Sequence, residues 1–240
     1  MYQFRNKENG FKELRKQVLI KIIPLGLIAV TGGIAMSEIN SNNRGNDVNV
    51  LPFVIPMALV AMSVGLFLGI KRQKALFESY ILTIDENTIT RQQDNTPTVS
   101  IQKDAISDII KNVNGSITIK GKDSRDIIGV PAQIENRSEL ETHLRAFKDI
   151  TVKSSEHILQ KLIIPLVLIV VGLLAIVNIS THKLLVGVSG TLLLVILIAS
   201  FIQTQRSKNV DSKTKRSMYF LIFVLINIVG QMYLKLNGVI

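Results

Sequence analysis

The feature that most constrains this chain is the alternation of long apolar runs with polar, charged stretches. Of its 240 residues, 47% are hydrophobic although 19% are charged. The apolar residues are concentrated in runs of roughly 20 residues, the length that an α-helix needs to cross the hydrocarbon core of a bilayer. One long water-soluble stretch, 78–148, lies between the second run and the third. This pattern predicts a membrane protein with one soluble domain set between transmembrane helices.

The apolar runs predict five transmembrane α-helices and an α+β fold class for the whole chain. The expected spans are 18–36, 50–70, 158–177, 184–202 and 218–236. Three parts follow from them: a basic N-terminus with a transmembrane hairpin (1–75), a soluble domain (76–150) and three further spans (151–240). The first 17 residues are polar and basic, and we expect a short surface helix there.

Positive charge is unevenly distributed among the loops. Five Lys/Arg precede the first span and five more lie in 203–217, whereas the loop after the first span carries only Arg44 and the turn after the third only Lys183. Basic loops tend to remain in the cytoplasm. The pattern therefore predicts a multi-pass protein of the cell (inner, cytoplasmic) membrane, with the N-terminus and the soluble domain in the cytoplasm and the C-terminus outside.

The soluble stretch predicts several short strands. Segments rich in β-branched residues, some with alternating polar and apolar positions, are separated by clusters of turn residues. The expected strands are 79–84, 88–91, 98–102, 109–113, 116–120 and 126–130. Asn114-Gly115 is a strong hairpin signal, because both positions tolerate φ > 0.

A helix is predicted after the last strand. Leu140, Leu144 and Phe147 recur at i, i+4 and i+7, which gives one apolar stripe that can lie against a sheet. His143 lies beside this stripe, and we expect it to be a packed side chain rather than a ligand.

The helix has two equally good start signals. Ser138 with Glu141 and Asn136 with Glu139 both have the spacing of a capping box, in which the two side chains satisfy free backbone N–H groups of the first turn. The sequence leaves the choice between them open.

A resemblance to a known family rests on three segments and two helical leucines. The segments are YILTI at 80–84, IQKDAI at 101–106 and GVPAQI at 129–134, and the leucines are Leu140 and Leu144. Together they resemble the bacterial pleckstrin-homology-like (PH-like) domains of small membrane proteins, over 78–148 only. The resemblance implies a β-barrel or sandwich capped by a C-terminal helix, in a fold that mostly serves as a binding platform. It carries over no site residues.

A search for catalytic chemistry is negative. The deep parts of the spans hold no Asp, Glu, His or Arg, whereas ionisable groups inside the membrane usually mark functional sites. The chain has no Cys, and no HExxH, P-loop or Gly-x-Ser-x-Gly sequence occurs. We therefore expect a non-catalytic protein with no catalytic residues, no cofactor and no metal site.

Two groups of residues in the spans predict helix packing. Ala61, Gly65 and Gly69 recur every four residues and form a small-residue stripe that lets another helix approach closely. Asn227 and Gln231 lie one turn apart on one face, where they can hydrogen-bond a neighbouring helix or line a small polar site.

Basic residues beside the soluble domain are candidates for contacts with anionic lipid headgroups. They are Lys71, Arg72, Lys74, Lys148 and Lys153. The positive-inside rule alone would place the same residues there, so their positions do not establish lipid specificity.

The net charge of +10 does not indicate nucleic-acid binding. The stretch 78–148 contains nine Lys/Arg and eleven Asp/Glu, so the excess lies entirely in the flanks. A nucleic-acid reader should carry its basic surface on the folded domain.

Two classes of function remain. In the first, the protein is a non-catalytic membrane protein whose cytoplasmic domain is a platform for a protein, a peptide or the membrane surface. The alternative is a small transporter or channel-like protein that this domain regulates. Expected partners are the lipid bilayer and either another protein or a second copy bound through the transmembrane helices.

The strand 98–102 offers one specific binding mode. It carries no charge and follows the longest polar loop, 91–98. At a sheet edge it could pair with an extended segment of a partner. The other possibility is that it is already paired within the barrel.

Overall fold

The computed structural model describes residues 1–42, 51–153 and 158–238 and divides the chain into two compact units. The first, here called the β unit, comprises Met1–Gln17, Gly69–Gln160 and Thr204–Arg216. The second, the helical unit, comprises Val18–Leu68, Lys161–Gln203 and Ser217–Ile240.

The β unit contains two four-stranded sheets. Its strands are β1 (Tyr2–Arg5), β2 (Ile81–Ile84), β3 (Thr88–Gln92), β4 (Val99–Gln102), β5 (Ile106–Lys111), β6 (Ile117–Gly121), β7 (Ile127–Val130) and β8 (Ile150–Val152). The sheet orders are β1-β2-β3-β4 and β7-β6-β5-β8, antiparallel throughout except for the parallel pair β5–β8. The described residues form no closed barrel. All six predicted strands are present, with β5 beginning three residues earlier than expected.

Strand β1 replaces the first part of the surface helix predicted for the N-terminus, of which only residues 10–17 are helical, as the beginning of the long helix Gly10–Asn42. Tyr2 pairs with Ile84 and Arg5 with Ile81, and Phe4 is buried in the core while its neighbours are exposed. Four residues are too few to show a period in sequence, and their partner lies far along the chain. The consequence is that the first helical hairpin is inserted between β1 and β2, and that the compact β unit extends beyond the expected domain 76–150.

The predicted hairpin between β5 and β6 is present in a different form. The backbone N–H of Asn112 donates to the carbonyl of Ser116 at 2.8 Å, which leaves a three-residue loop. Only Gly115 has a positive φ, +84°, and Asn114 instead uses its side-chain oxygen to accept the N–H of Ser116. A type I turn followed by a left-handed glycine is the usual geometry for a loop of this length.

Helix α3 (Arg137–Arg145) joins the two sheets in one hydrophobic core. Leu140 and Leu144 are fully buried and Phe147 packs at the margin of this core, as the stripe predicts. His143 is a packed residue, with its ring centroid 3.8 Å from that of Tyr2. The helix is not the last element of the unit, because β8 follows it and pairs with β5.

The start of α3 corrects the capping-box prediction. Asn136 is the N-cap, but its backbone is left-handed (φ +44°) and its side chain makes no capping hydrogen bond. Glu141 does not return to the backbone of the first turn. It forms ion pairs with Lys111 at 2.8 Å and Arg137 at 3.0 Å, and the hydrogen bond from Lys111 is the main cause that lowers the pKa of Glu141.

Six further α-helices are present in the described residues. They are α1 (Gly10–Asn42), α2 (Leu51–Glu78), α4 (Ile158–Ile179), α5 (Lys183–Arg206), α6 (Ser212–Ser217) and α7 (Leu221–Leu236). Among the described residues, four segments are long and apolar enough to cross a membrane: Gly10–Ala35, Pro52–Glu78, Lys183–Arg206 and Ser212–Leu236. The predicted span 158–177 corresponds to α4, of which the described apolar part, Pro165–Ile179, is shorter.

Helices α4, α5 and α7 share an apolar core in the helical unit. Val177, Leu193 and Ile228, one from each helix, are buried together. Gly190 of α5 lies against the side chain of Met232 so closely that any Cβ at position 190 would collide with it. A side chain at position 190 would therefore require Met232 to move to another rotamer.

A buried lysine closes the carboxyl end of α4. The Nζ of Lys235 donates to the carbonyl oxygens of Val177, Asn178 and Ser180 at 3.0, 2.5 and 3.0 Å. The last carbonyls of a helix lack partners within it, and a cation stabilises that negative end. Lys235 thereby attaches the end of α7 to the end of α4.

The N-terminal strand gives a first test of the fold. A soluble protein made from residues 1–9, a short Gly-Ser linker and residues 76–153 should fold as mostly β with one helix. Asn6 Nδ2 lies 2.7 Å from the carbonyl oxygen of Phe77, so a short linker can replace the hairpin. Phe4→Ala should lower its free energy of unfolding by about 3 kcal/mol, because it empties a buried site. Thermal and urea melts followed by circular dichroism measure both results.

Two further variants serve as controls for the effect of Phe4→Ala on stability. Gln3→Ala changes an exposed neighbour in the same strand and should leave the midpoint unchanged, whereas Leu144→Asp should unfold the fragment by burying an unpaired charge. Equal stability of fragments with and without residues 1–9 would contradict the role assigned to β1.

Candidate functional site

The candidate site lies where the segment after α5 meets the strands of the β unit. This segment, Thr204–Arg216, belongs to the same compact unit as the sheets and is here called the return loop. It contains five basic residues and a single acidic one, Asp211. Its contacts involve the end of α2, the loop between β3 and β4, and the turn before β7.

Arg91 is the buried centre of these contacts. It lies on β3 with its side chain on the inward side, like Ile89, and is only 3% exposed. Its Nη2 donates to the carbonyl oxygens of Pro97 at 2.9 Å and Lys208 at 3.2 Å, and its Nη1 donates to the side-chain oxygen of Gln93 at 3.3 Å. One guanidinium thus joins β3, the β3–β4 loop and the return loop.

The environment of Arg91 is unusual because all of these acceptors are uncharged. Among the described residues its Nε is buried without a hydrogen-bond partner, and burial lowers the pKa of Arg91. Burial also raises the pKa of the neighbouring Tyr80, whose hydroxyl donates to the carbonyl of Gly129 at 2.9 Å. A buried cation without a carboxylate is costly, so Arg91 depends on the carbonyl of the return loop.

Asp211 anchors the return loop to the end of α2. It accepts a hydrogen bond from Arg72 and one from the hydroxyl of Thr214 at 2.7 Å, and it accepts the backbone N–H of Lys213 at 3.0 Å, a capping arrangement at the start of α6. Burial acts to raise the pKa of Asp211, but the hydrogen bonds from Arg72 and Thr214 outweigh it, and the net effect is a lowered pKa.

Two further bonds fix the return loop on the sheets. Lys208 forms an ion pair with Asp126 at 2.6 Å, next to β7. The backbone N–H of Ser212 donates to the carbonyl of Asn95 at 2.8 Å, within the β3–β4 loop, where Asn95 has a positive φ of 56°. The β3–β4 loop is therefore held in place by the return loop.

Strand β4, which this loop precedes, has one free edge. Among the described strands it pairs only with β3. Lys103 donates its N–H to the carbonyl of Asn87 at 2.8 Å, and Ser100 lies opposite Thr90. Hydrogen-bonded and non-bonded pairs alternate along an antiparallel ladder, so Ser100, three positions from Lys103, belongs to a non-bonded pair. Its N–H and C=O point away from β3.

The five basic residues predicted for lipid headgroups do not form one cluster of free charges. Arg72 is paired with Asp211, and Lys74 forms an exposed pair with Glu78 at 3.6 Å. Lys148 donates to the carbonyl of Ser107. The two remaining residues are Lys71, which is exposed on α2, and Lys153, which is half-buried after β8.

Most of the residues predicted for helix packing make no close contact with another helix in the described part of the chain. Ala61, Gly65 and Gly69 are exposed on α2, and a Cβ added at either glycine would meet nothing within 4 Å. Asn227 is exposed on α7 and Gln231 is half-buried, and within the described part of the chain neither side chain has a hydrogen-bond partner. In the helical unit an open, mainly apolar groove also runs between α5 and α7, with Lys183 at one end.

Sequence reasoning missed the return loop as part of the site. Two signals were present in the chain. Arg91 follows Ile89 by two positions, so it occupies the apolar face of a predicted strand, and Asp211 is the one acid in a basic segment. Neither signal shows which segment the residue meets.

Comparisons with known proteins give no name to this arrangement. No family model, no curated protein and no solved structure matches the chain. The PH-like resemblance therefore rests on the sequence segments alone.

The ion pair of the return loop gives a second test. Asp211→Asn should cost about 1–2 kcal/mol of local stability at neutral pH, because it leaves Arg72 partly buried without its charge partner. Since the folded-state pKa of Asp211 is lowered, its contribution is complete above the unfolded value of about 4 and is lost as the pH falls through the folded value. Hydrogen exchange of the return loop in the full chain measures both effects.

A matched control lies on the same helix. Lys74→Gln removes an exposed ion pair, which contributes less than about 0.5 kcal/mol, and should leave exchange in the return loop unchanged. If the return loop of the Asp211→Asn protein kept its protection from hydrogen exchange and lost it at low pH as the unchanged protein does, the Arg72–Asp211 ion pair would not be what holds the loop.

Proposed function

We propose that this chain is a non-catalytic membrane protein whose β unit is a cytoplasmic platform for an extended segment of a protein partner. The segment pairs with the free edge of β4. The PH-like resemblance supports this reading, since such domains mostly bind rather than catalyse. The observation that carries the proposal is the orientation of Ser100, whose backbone donor and acceptor face away from β3.

The edge of β4 lacks the devices that usually keep sheet edges from pairing. Such devices are charged residues, proline within the strand and β-bulges. Val99–Gln102 reads VSIQ and has none of them. Val99 and Ile101 are buried, whereas Ser100 and Gln102 are exposed. An added strand would therefore gain main-chain hydrogen bonds, and its own alternate side chains would meet an uncharged surface.

The return loop supports the same proposal by making this edge rigid. Arg91 and Ser212 hold the β3–β4 loop through the carbonyls of Pro97 and Asn95. A strand edge that is fixed before binding loses less conformational entropy on binding. Arg91 is thus a positioning residue for the edge rather than a contact to the partner.

The arrangement of the β unit also supports the five-span topology. Because β1 and β2 pair, the chain between them must cross the membrane an even number of times, as α1 and α2 do. The return loop follows α5 and forms a hydrogen bond with a strand that precedes α4. The chain between them, which contains α4 and α5, must therefore also cross the membrane an even number of times. This parity supports the proposal that α4 is the fifth span, that α7 is the one unpaired crossing and that the C-terminus is outside.

A third test uses proline at the free edge. Ser100→Pro removes the outward N–H and should weaken partner pairing by at least about tenfold, while the melting temperature of the β unit changes little, since no β3–β4 hydrogen bond is lost. The readout is photo-crosslinking in the native membrane from a probe at the exposed Gln102.

Two controls make this result specific. Ser100→Ala keeps the N–H and should retain the adduct. Ile89→Pro removes a bond inside the sheet and should unfold the unit, which shows that the assay detects structural loss. The proposal fails if Ser100→Pro unfolds the protein or if its adduct equals that of the Ala variant.

A fourth test addresses the topology. Reporter fusions after Thr98 and Lys213 should report the cytoplasm, and fusions after Asn43 and Ile240 the outside. The two cytoplasmic predictions are linked, because residues 98 and 213 belong to the same compact unit and must lie on the same side of the membrane. A cytoplasmic C-terminus would remove one span.

The alternative function, a small transporter or channel-like membrane part regulated by this domain, has one observation in its favour. The return loop that holds β3 through Arg91 connects α5 to α7, so a ligand on the β unit could change the helices. Reconstituted protein should then show ion or solute flux that Asp211→Asn alters. Absence of flux with intact partner pairing favours the platform.

A further inference from the structure

Asn227 occupies the position in α7 where a free amide is most costly. It lies midway along the predicted span 218–236, and at 1.5 Å per residue it is about 14 Å from either end. That depth is the centre of the hydrocarbon core, where water cannot satisfy its hydrogen bonds. The side chain is exposed on the outer face of α7, and nothing in the described part of the chain hydrogen-bonds to it.

Three hydroxyl side chains in the spans solve this problem locally. The hydroxyls of Thr31, Ser63 and Thr191 each donate to the carbonyl four residues earlier in the same helix, at 2.8 Å in every case. Asn227 makes no such bond. Its amide has two donor hydrogens and an acceptor oxygen, so it needs a partner that supplies both kinds of group.

Lipid acyl chains supply neither group, whereas a second Asn227 supplies both. We propose that α7 is the interface of a homodimer, in which Asn227 of one copy hydrogen-bonds Asn227 of the other across a twofold axis. Interhelical amide hydrogen bonds are a recognised source of helix association in membranes. A twofold interface brings the same position of both copies together, which is the pairing that a self-complementary amide requires.

The surface around Asn227 suits close helix contact. Gly230 lies one turn away on the same face, and a Cβ added there would meet nothing within 4 Å. It therefore lets a second backbone approach. Phe223, Ile226 and Tyr233 surround the pair and are all exposed. They provide the apolar area that packs around the central amides. This inference concerns the membrane part and does not depend on the β4 proposal.

Cysteine scanning tests this interface cleanly, because the chain contains no Cys. Ile226→Cys and Tyr233→Cys in the full-length protein should each form a disulfide-linked dimer in the native membrane. Val195→Cys is the matched control, since Val195 is equally exposed but lies on α5. Equal crosslinking at position 195 would mean random collision and would overturn the proposal, as would no crosslinking at 226 and 233.

Asn227→Leu then tests the hydrogen bond itself. In the Ile226→Cys background it should reduce the dimer, with association about tenfold weaker, the effect expected for loss of an interhelical hydrogen bond. Thr191→Val is the control, because that hydroxyl already bonds within its own helix. A dimer of unchanged strength in Asn227→Leu would overturn the role of the amide. Crosslinks formed only with a different protein would contradict the homodimer and show that this face of α7 binds another partner.

Discussion

The pairing of β1 with β2 is the interaction on which the rest of the structure depends. These strands are separated by about 75 residues of sequence, which contain the first helical hairpin. Their pairing brings the start of α1 beside the end of α2, where the rings of Phe11 and Phe77 lie 5.8 Å apart. The closure of a long loop costs conformational entropy, and here the burial of Phe4 and a four-residue ladder offset it. The pairing of β1 with β2 therefore holds the two ends of the helical hairpin close together.

The return loop repeats this design at the other end of the chain. A basic segment that would otherwise be a simple connection between two membrane helices supplies a carbonyl to the buried Arg91 and a carboxylate to Arg72. Both arginines would be poorly satisfied without it. Three separate chain segments thus build the β unit, and each is continuous with a helix that is long and apolar enough to cross a membrane.

The local features of this protein are readable from its sequence, and the distant ones are not. The alternation of 116–120 and the leucines of α3 predict the buried faces correctly, because the spacing of apolar residues directly indicates which face of a strand or helix is buried. β1 is too short to show a period, and its partner is distant in sequence. The left-handed backbone at Asn136 excludes the capping box that the spacing of Asn136 and Glu139 suggests. At Arg91 the alternation indicates which face of β3 carries the side chain, but only the three-dimensional fold shows which carbonyl oxygens accept its hydrogen bonds.

The insertion of a membrane hairpin between two paired strands has a consequence for biosynthesis. β1 leaves the ribosome first, yet its partner β2 is made only after the whole hairpin. At about 5–20 residues per second this interval is about 4–15 s. During that time Phe4 has no sheet to join, and the hairpin has no soluble sheet to hold its two ends together. Completion of the sheet therefore requires both ends of the hairpin to lie on the same side of any membrane that α1 and α2 cross. If the two ends of the hairpin were held apart, β2 would be left with an open edge beside β3.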